Sequence, residues 1–154
     1  MWDASATLVP VLLVTGHATV ELEEIARCWP DATEISRSRL VYGNLAALWS
    51  NFAALGTSRL LLAGLIAQRS DLRLVSEAVP GAAVTVVRLH APLSVLEKRI
   101  RLREPAPAEG EIDGTRWWTR HLDRLRLEDH LVETDGPAVG DVARDVLRLA
   151  GWLP

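Results

Sequence analysis

An α/β fold, with a mostly parallel sheet of four to five strands covered by helices in three layers, is what this 154-residue sequence predicts. Three observations predict it. Short continuous apolar runs, "VLLVT", "RLLLA" and "VTVVRL", read as strands buried on both faces. Between them lie segments whose apolar residues recur at three- and four-residue steps, the period of a helix with one buried face. No long linker or internal repeat interrupts the alternation, so residues 1–154 read as a single domain.

The elements follow in order. Leu8–Thr15 reads as the first strand. Residues 19–29 have two readings. "TVEL" fits a strand, but only three residues would separate it from the first one. A parallel crossover needs about a dozen, so those two strands could only form a hairpin. The alternative is a helix capped by Thr19, with Leu22, Ile25, Ala26 and Trp29 on one face and Glu21 and Glu23 at its positive end. The spacing favours the helix. Tyr42–Leu55 is a helix on Leu45, Leu48, Trp49, Phe52 and Leu55, ended by Gly56. Arg59–Ala63 is a strand ending at Gly64, and Asp71–Val79 a helix closed by Pro80-Gly81. Val84–Leu89 is the third strand. Leu93–Glu104 is a helix with Pro92 near its first turn. "PAPAEGEIDG" reads as a loop, Thr115–Glu128 as a helix and His130–Thr134 as a short strand. Asp141–Ala150 is the closing helix, with Gly151 past its end.

Composition excludes several classes. Hydrophobic residues are 49% and charged residues 24% of the chain, an ordinary globular balance. A net charge of -3 argues against nucleic acid as a partner, since phosphate neutralisation needs a basic face. The N-terminus lacks the positive region of a signal peptide, and the apolar run 8–14 is too short for a membrane span, so no membrane partner and a cytoplasmic location are expected. Cys28 is the only cysteine, which excludes a disulfide framework within the chain. His17, His90, His121 and His130 lack ligand spacing, so no metal site is expected. Trp117 and Trp118 cannot share one helix face, which leaves one of them exposed or at an interface.

The pieces "VLLVTG", "YGNLAALWSNFAALGTSRLLLAGL", "VTVVRLHAPLSVLEKRIRLRE" and "ETDGPAVGDVARDVLRLAGW", in that order, resemble the small P-loop kinases. That group includes shikimate kinase, gluconate kinase, adenylylsulfate kinase and chloramphenicol phosphotransferase. The resemblance covers the first strand and most of the chain from residue 40. It implies a P-loop NTPase-like fold, ATP and Mg as cofactors, and a nucleotide or small-molecule substrate as partner. It places Thr15, Gly16 and His17 at the phosphates and Thr134, Asp135 and Gly136 beside the adenine. It assigns catalytic roles to Glu21 and Glu23, which would orient or deprotonate a substrate hydroxyl, and to Arg99 and Arg103, which would neutralise the transferring phosphoryl group. A short lid is implied within residues 105–128, and Gly16, Gly64, Arg99, Arg103 and Thr134–Gly136 would border one crevice at the C-terminal strand ends.

The departure falls where that family keeps its chemistry. A phosphate loop reads G-x-x-x-x-G-K-[ST]. Counted from Gly16, its last three places hold Glu21, Leu22 and Glu23, and two carboxylates there repel phosphate. The single lysine, Lys98, lies in a later helix. A second alignment matches "VELEEIARCWP" to the segment after the family's second strand, and then the loop and its helix are missing between Gly16 and His17. Either way the lysine is absent. The expectation is a degenerate P-loop kinase-like protein with weak or absent ATP binding and weak or lost phosphoryl transfer. The alternatives are an active ATP-dependent small-molecule kinase with a non-standard phosphate site, and a non-catalytic interaction module, for which a homodimer through the tryptophan-bearing flap is one form.

Overall fold

The computed structural model describes residues 9–15, 18–28, 34–103 and 109–154. It is mixed α/β. The strands are β1 (Val9–Thr15), β2 (Ala18–Glu21), β3 (Arg59–Gly64), β4 (Val87–His90) and β5 (His130–Glu133). The helices are α1 (Glu34–Ala54), α2 (Arg69–Ala78), α3 (Leu93–Arg103), α4 (Glu109–Leu125) and α5 (Val139–Leu149), with a 3₁₀ turn at Glu24–Ala26. No helix among the described residues is long and apolar enough to cross a membrane. The chain divides into two compact units, one of Pro10–Val86 and one formed mostly by Val87–Pro154.

In the first unit the sheet order is β1-β3-β2. β2 runs parallel to β3 from Ala18↔Leu60 to Glu21↔Ala63, and Leu22 N–H extends the ladder to Ala63 O at 2.9 Å. Residues 18–21 are therefore a strand, and the helix expected over 19–29 is replaced by β2 and the 3₁₀ turn. The short β1–β2 connection does not constrain β2, because β1 is not its neighbour in the sheet. β2 pairs with β3, which it reaches through residues 22–58 and α1, ample length for a parallel connection. Val20, Leu22, Leu60, Leu62 and Ile66 are buried with Val41 and Leu45 of α1 and Val75 and Ala78 of α2. α1 starts before Tyr42, and Asn44 ties it to the 3₁₀ turn by donating to Ile25 O at 2.6 Å. Its end matches the expectation: Gly56 has φ +81, Gly56 N–H reaches Ala53 O, and Thr57 N–H reaches back to Phe52 O at 3.0 Å.

Gly64 closes β3 against Leu22. A Cβ placed on it would lie 2.9 Å from both Leu22 Cβ and Leu22 Cδ1. Such a distance forces a shift, and over-packing of this kind costs about 1–3 kcal/mol. Gly64→Ala is thus expected to destabilise the protein by that amount in denaturant titration. In a Leu22→Ala background the same change should cost less, because the Cδ1 clash is gone. Equal cost in both backgrounds would show that the Leu22 side chain beyond Cβ is not what holds position 64 to glycine.

The second unit holds a two-stranded sheet. β4 and β5 are parallel, from Val87↔His130 to His90↔Glu133. Val87 and Val132 are buried with Val142 and Val146 of α5, and Leu89 packs against them. α3 and α4 pack on each other, with Leu96, Ile100 and Leu122 buried. The described strands thus form two small sheets, and not the single sheet of four to five strands expected. Continuous pairing of the third expected strand begins only at Val87, so β4 is four residues long. Local apolar runs mark strands but do not say which strands pair. Of the expected loop, residues 105–108 lie outside the described residues, and residues 109–114 belong to α4, whose Glu111 and Asp113 suit the positive end of a helix.

Candidate functional site

The ends of β2 and β3 gather the polar groups of the first unit. Glu21 is the last residue of β2, half-buried, and Glu23 lies in the turn beyond it. Glu23 Oε2 is 3.7 Å from Arg37 Nη1 of α1. Tyr42 of α1 is partly buried there. Burial, reinforced by the charges of Asp71 and Glu23, raises its phenol above the ordinary tyrosine range. Asp71 is itself buried, 8% exposed, and folds back the loop after β3 by accepting Ala67 N–H at 2.9 Å and Gln68 N–H at 3.1 Å. So the structure adds Tyr42 and Asp71 to the candidate acids. Asp71 stands in the first turn of α2, a position the sequence offered only as a helix start. Thr15 ends β1, and Gly16 and His17 lie outside the described residues.

The second unit holds the candidate arginines, and both are engaged by the protein. Arg99 of α3 donates from Nη1 to Thr134 Oγ1 at 3.0 Å and from Nη2 to Thr134 O at 2.6 Å. Thr134 in turn donates from its backbone N–H to His90 O at 2.7 Å and from its hydroxyl to the same oxygen at 3.0 Å. One residue thus joins the ends of β4 and β5 to α3. Beside it, His90 Nδ1 and Glu133 Oε1 meet at 2.8 Å across the ladder. Arg103 points elsewhere, donating to Glu111 of α4 at 2.6 Å. Asp135 and Gly136 are exposed after β5, with Gly136 at φ +102.

Further ion pairs join α3 to α4. Glu97 accepts from Arg116 at 2.8 Å and from Arg101 at 3.3 Å. The Arg116 hydrogen bond, with added help from Arg101, holds the Glu97 carboxyl below its usual range. A residue the sequence did not single out is the most buried cation of this unit. Arg88 of β4 is 3% exposed, with Nη2 2.7 Å from Asp123 Oδ1 and Nη1 3.6 Å from Glu128 Oε1. Its Nε is buried with no hydrogen-bond partner among the described residues. Its only signal in sequence is an arginine inside an apolar strand run.

The candidates are divided between the two units. Arg99 and Thr134 meet. Glu21, Glu23 and Gly64 belong to the first unit, while Arg99, Arg103 and Thr134–Gly136 belong to the second. As a piece of chemistry, the first unit presents carboxylates beside a tyrosine, a surface that disfavours phosphate. In the second, the candidate guanidiniums of Arg99 and Arg103 are already hydrogen-bonded within the protein. Comparison with protein families, with curated proteins and with solved structures finds no match for this chain.

Proposed function

We propose that this chain is a lapsed relative of the small P-loop kinases, one that binds ATP and Mg weakly or not at all and has lost phosphoryl transfer. The P-loop NTPase-like character of its fold belongs to the same proposal. The observation that carries it is the commitment of both Arg99 terminal nitrogens to Thr134. A cation that stabilises a transferring phosphoryl group has to reach it. Here releasing Arg99 would strand the Thr134 carbonyl, and releasing Arg103 would strand Glu111. The parallel strand–helix–strand connection of β2, α1 and β3 supports the scaffold side of this reading. The absence of a phosphate-loop lysine under either alignment supports the loss of function.

Calorimetry with millimolar Mg-ATP tests the proposal. The expected dissociation constant is weaker than about 1 mM, and one of about 10 μM or tighter, near -7 kcal/mol, would contradict it. Arg99→Ala adds a second arm. It is expected to lower stability by about 1.5–3 kcal/mol through loss of charged hydrogen bonds, without changing nucleotide binding. ATP binding that disappears in Arg99→Ala would instead favour an active kinase. A second reading, a protein-interaction module, is favoured by one observation: Trp117 is 51% exposed on α4.

A further inference from the structure

Trp117 is 51% exposed on α4, flanked on the helix surface by Asp113, Arg116, Arg120, Asp123 and Arg124. One of its neighbours holds its ring in place. His121 stacks on Trp117 at 4.7 Å and 11° between planes. Trp118 meets the same ring edge-on at 4.7 Å. The indole is therefore a half-exposed apolar group on the helix surface, with His121 and Trp118 against its ring.

Of the charges around it, Arg116 is paired with Glu97 of α3 and Asp123 with Arg88 of β4, and the others are arranged by height. At 100° and about 1.5 Å per residue, Gly110, Asp113, Gly114, Trp117, Arg120, His121 and Arg124 fall on one stripe. Asp113 stands about 6 Å to the N-terminal side of Trp117, and Arg120 about 4.5 Å to the other. Asp113 is largely exposed, its side chain 73% accessible, with its one ion pair to Arg116 at 3.2 Å. Arg120 and Arg124 are exposed and meet no carboxylate among the described residues. Opposite them in height lie the two glycines, where an added Cβ would meet nothing within 4 Å.

We infer that this face of α4 binds a second copy of the chain, with the two α4 helices antiparallel about a two-fold axis at Trp117. In that arrangement Trp117 packs on the partner's Trp117. Asp113 comes level, and on the same lateral side, with the partner's Arg120. Gly110 comes level with the partner's Arg124, and Gly114 with the partner's His121, so small residues receive large ones. The stripe is acidic and small at one end and basic and large at the other, with the aromatic between. Such a pattern is self-complementary only in an antiparallel pair, the isologous arrangement of a symmetric dimer. A nucleic acid would find just two uncompensated arginines here, on a chain whose net charge is -3.

One helix face buries little area, so the dimer is weak, with a dissociation constant on the order of 50 μM. Sedimentation of the full chain from low to several hundred micromolar tests it. The expected result is a concentration-dependent monomer–dimer equilibrium, weakened at least tenfold by Trp117→Ala, by Asp113→Arg and by Arg120→Asp. The chain carrying both Asp113→Arg and Arg120→Asp should dimerise again, because the swap restores the pairing. All these positions are on the surface, and circular dichroism of each variant confirms that it is folded. A wild-type chain that stays monomeric throughout overturns the inference. So does a dimer indifferent to Trp117→Ala, and so does failure of the double swap to recover association.

Discussion

Neutralising both carboxylates that face Arg88, by Asp123→Asn with Glu128→Gln, is expected to destabilise the protein by about 3–5 kcal/mol. The guanidinium is 3% exposed. Removing its partners leaves a cation that water cannot reach. Arg88→Met is expected to change stability by less than about 1 kcal/mol, although it deletes the same ion pairs. It also deletes the orphaned Nε, and it leaves behind Asp123 at 54% exposure and Glu128 at 17%, which keep access to water. Urea titrations of the two variants decide the matter. If Arg88→Met costs more than the double neutralisation, the cation is the stabilising member, and the desolvation argument is wrong.

Leu45→Ala is expected to cost about 3–5 kcal/mol. Leu45 is 0% exposed and sits one turn beyond Val41 on the face of α1 that packs against α2 and the 3₁₀ turn. Truncation leaves a cavity between elements held by a 21-residue helix, which cannot collapse locally. Leu55→Ala serves as the comparison. It shares the heptad-like spacing in sequence, yet it is 85% exposed, so its expected effect is within about 0.5 kcal/mol. Trp49 and Phe52 are half-buried and should fall between the two. Matching losses at Leu45 and Leu55 would mean that α1 is rotated from the orientation described.

That contrast also shows what the sequence carries. Apolar period located α1, α2, α3 and α5 to within a few residues, apart from the early start of α1, and glycine placed both αL caps: Gly151 ends α5 as Gly56 ends α1, with Trp152 N–H returning to Leu147 O at 2.8 Å. Period alone could not tell Leu45 from Leu55, because the last turn of a helix extends past what it covers. β2 was misjudged because its nearest strand in sequence is not its partner in the sheet. α4 began earlier than expected because Gly110 and Gly114 read as loop residues, while the acids around them favour a helix start. For the candidate site, sequence marked Arg99 and Thr134 as separate features, 35 positions apart. Only the fold shows that they satisfy each other, and that Arg88 inside an apolar strand is a paired charge. Long-range polar pairing leaves no local pattern.

The two parallel ladders have a consequence for synthesis. Ala18 pairs with Leu60, and Val87 with His130. At about 5–20 residues per second, each early strand waits roughly 2–9 seconds on the ribosome before its partner has been made. Helices form in well under a millisecond, so α1 and α3 are folded long before the ladders they connect. During that interval the apolar residues of β2 and β4 have no partner within the nascent chain. These strands are the segments a chaperone would be called on to shield, and faster translation would shorten their exposure.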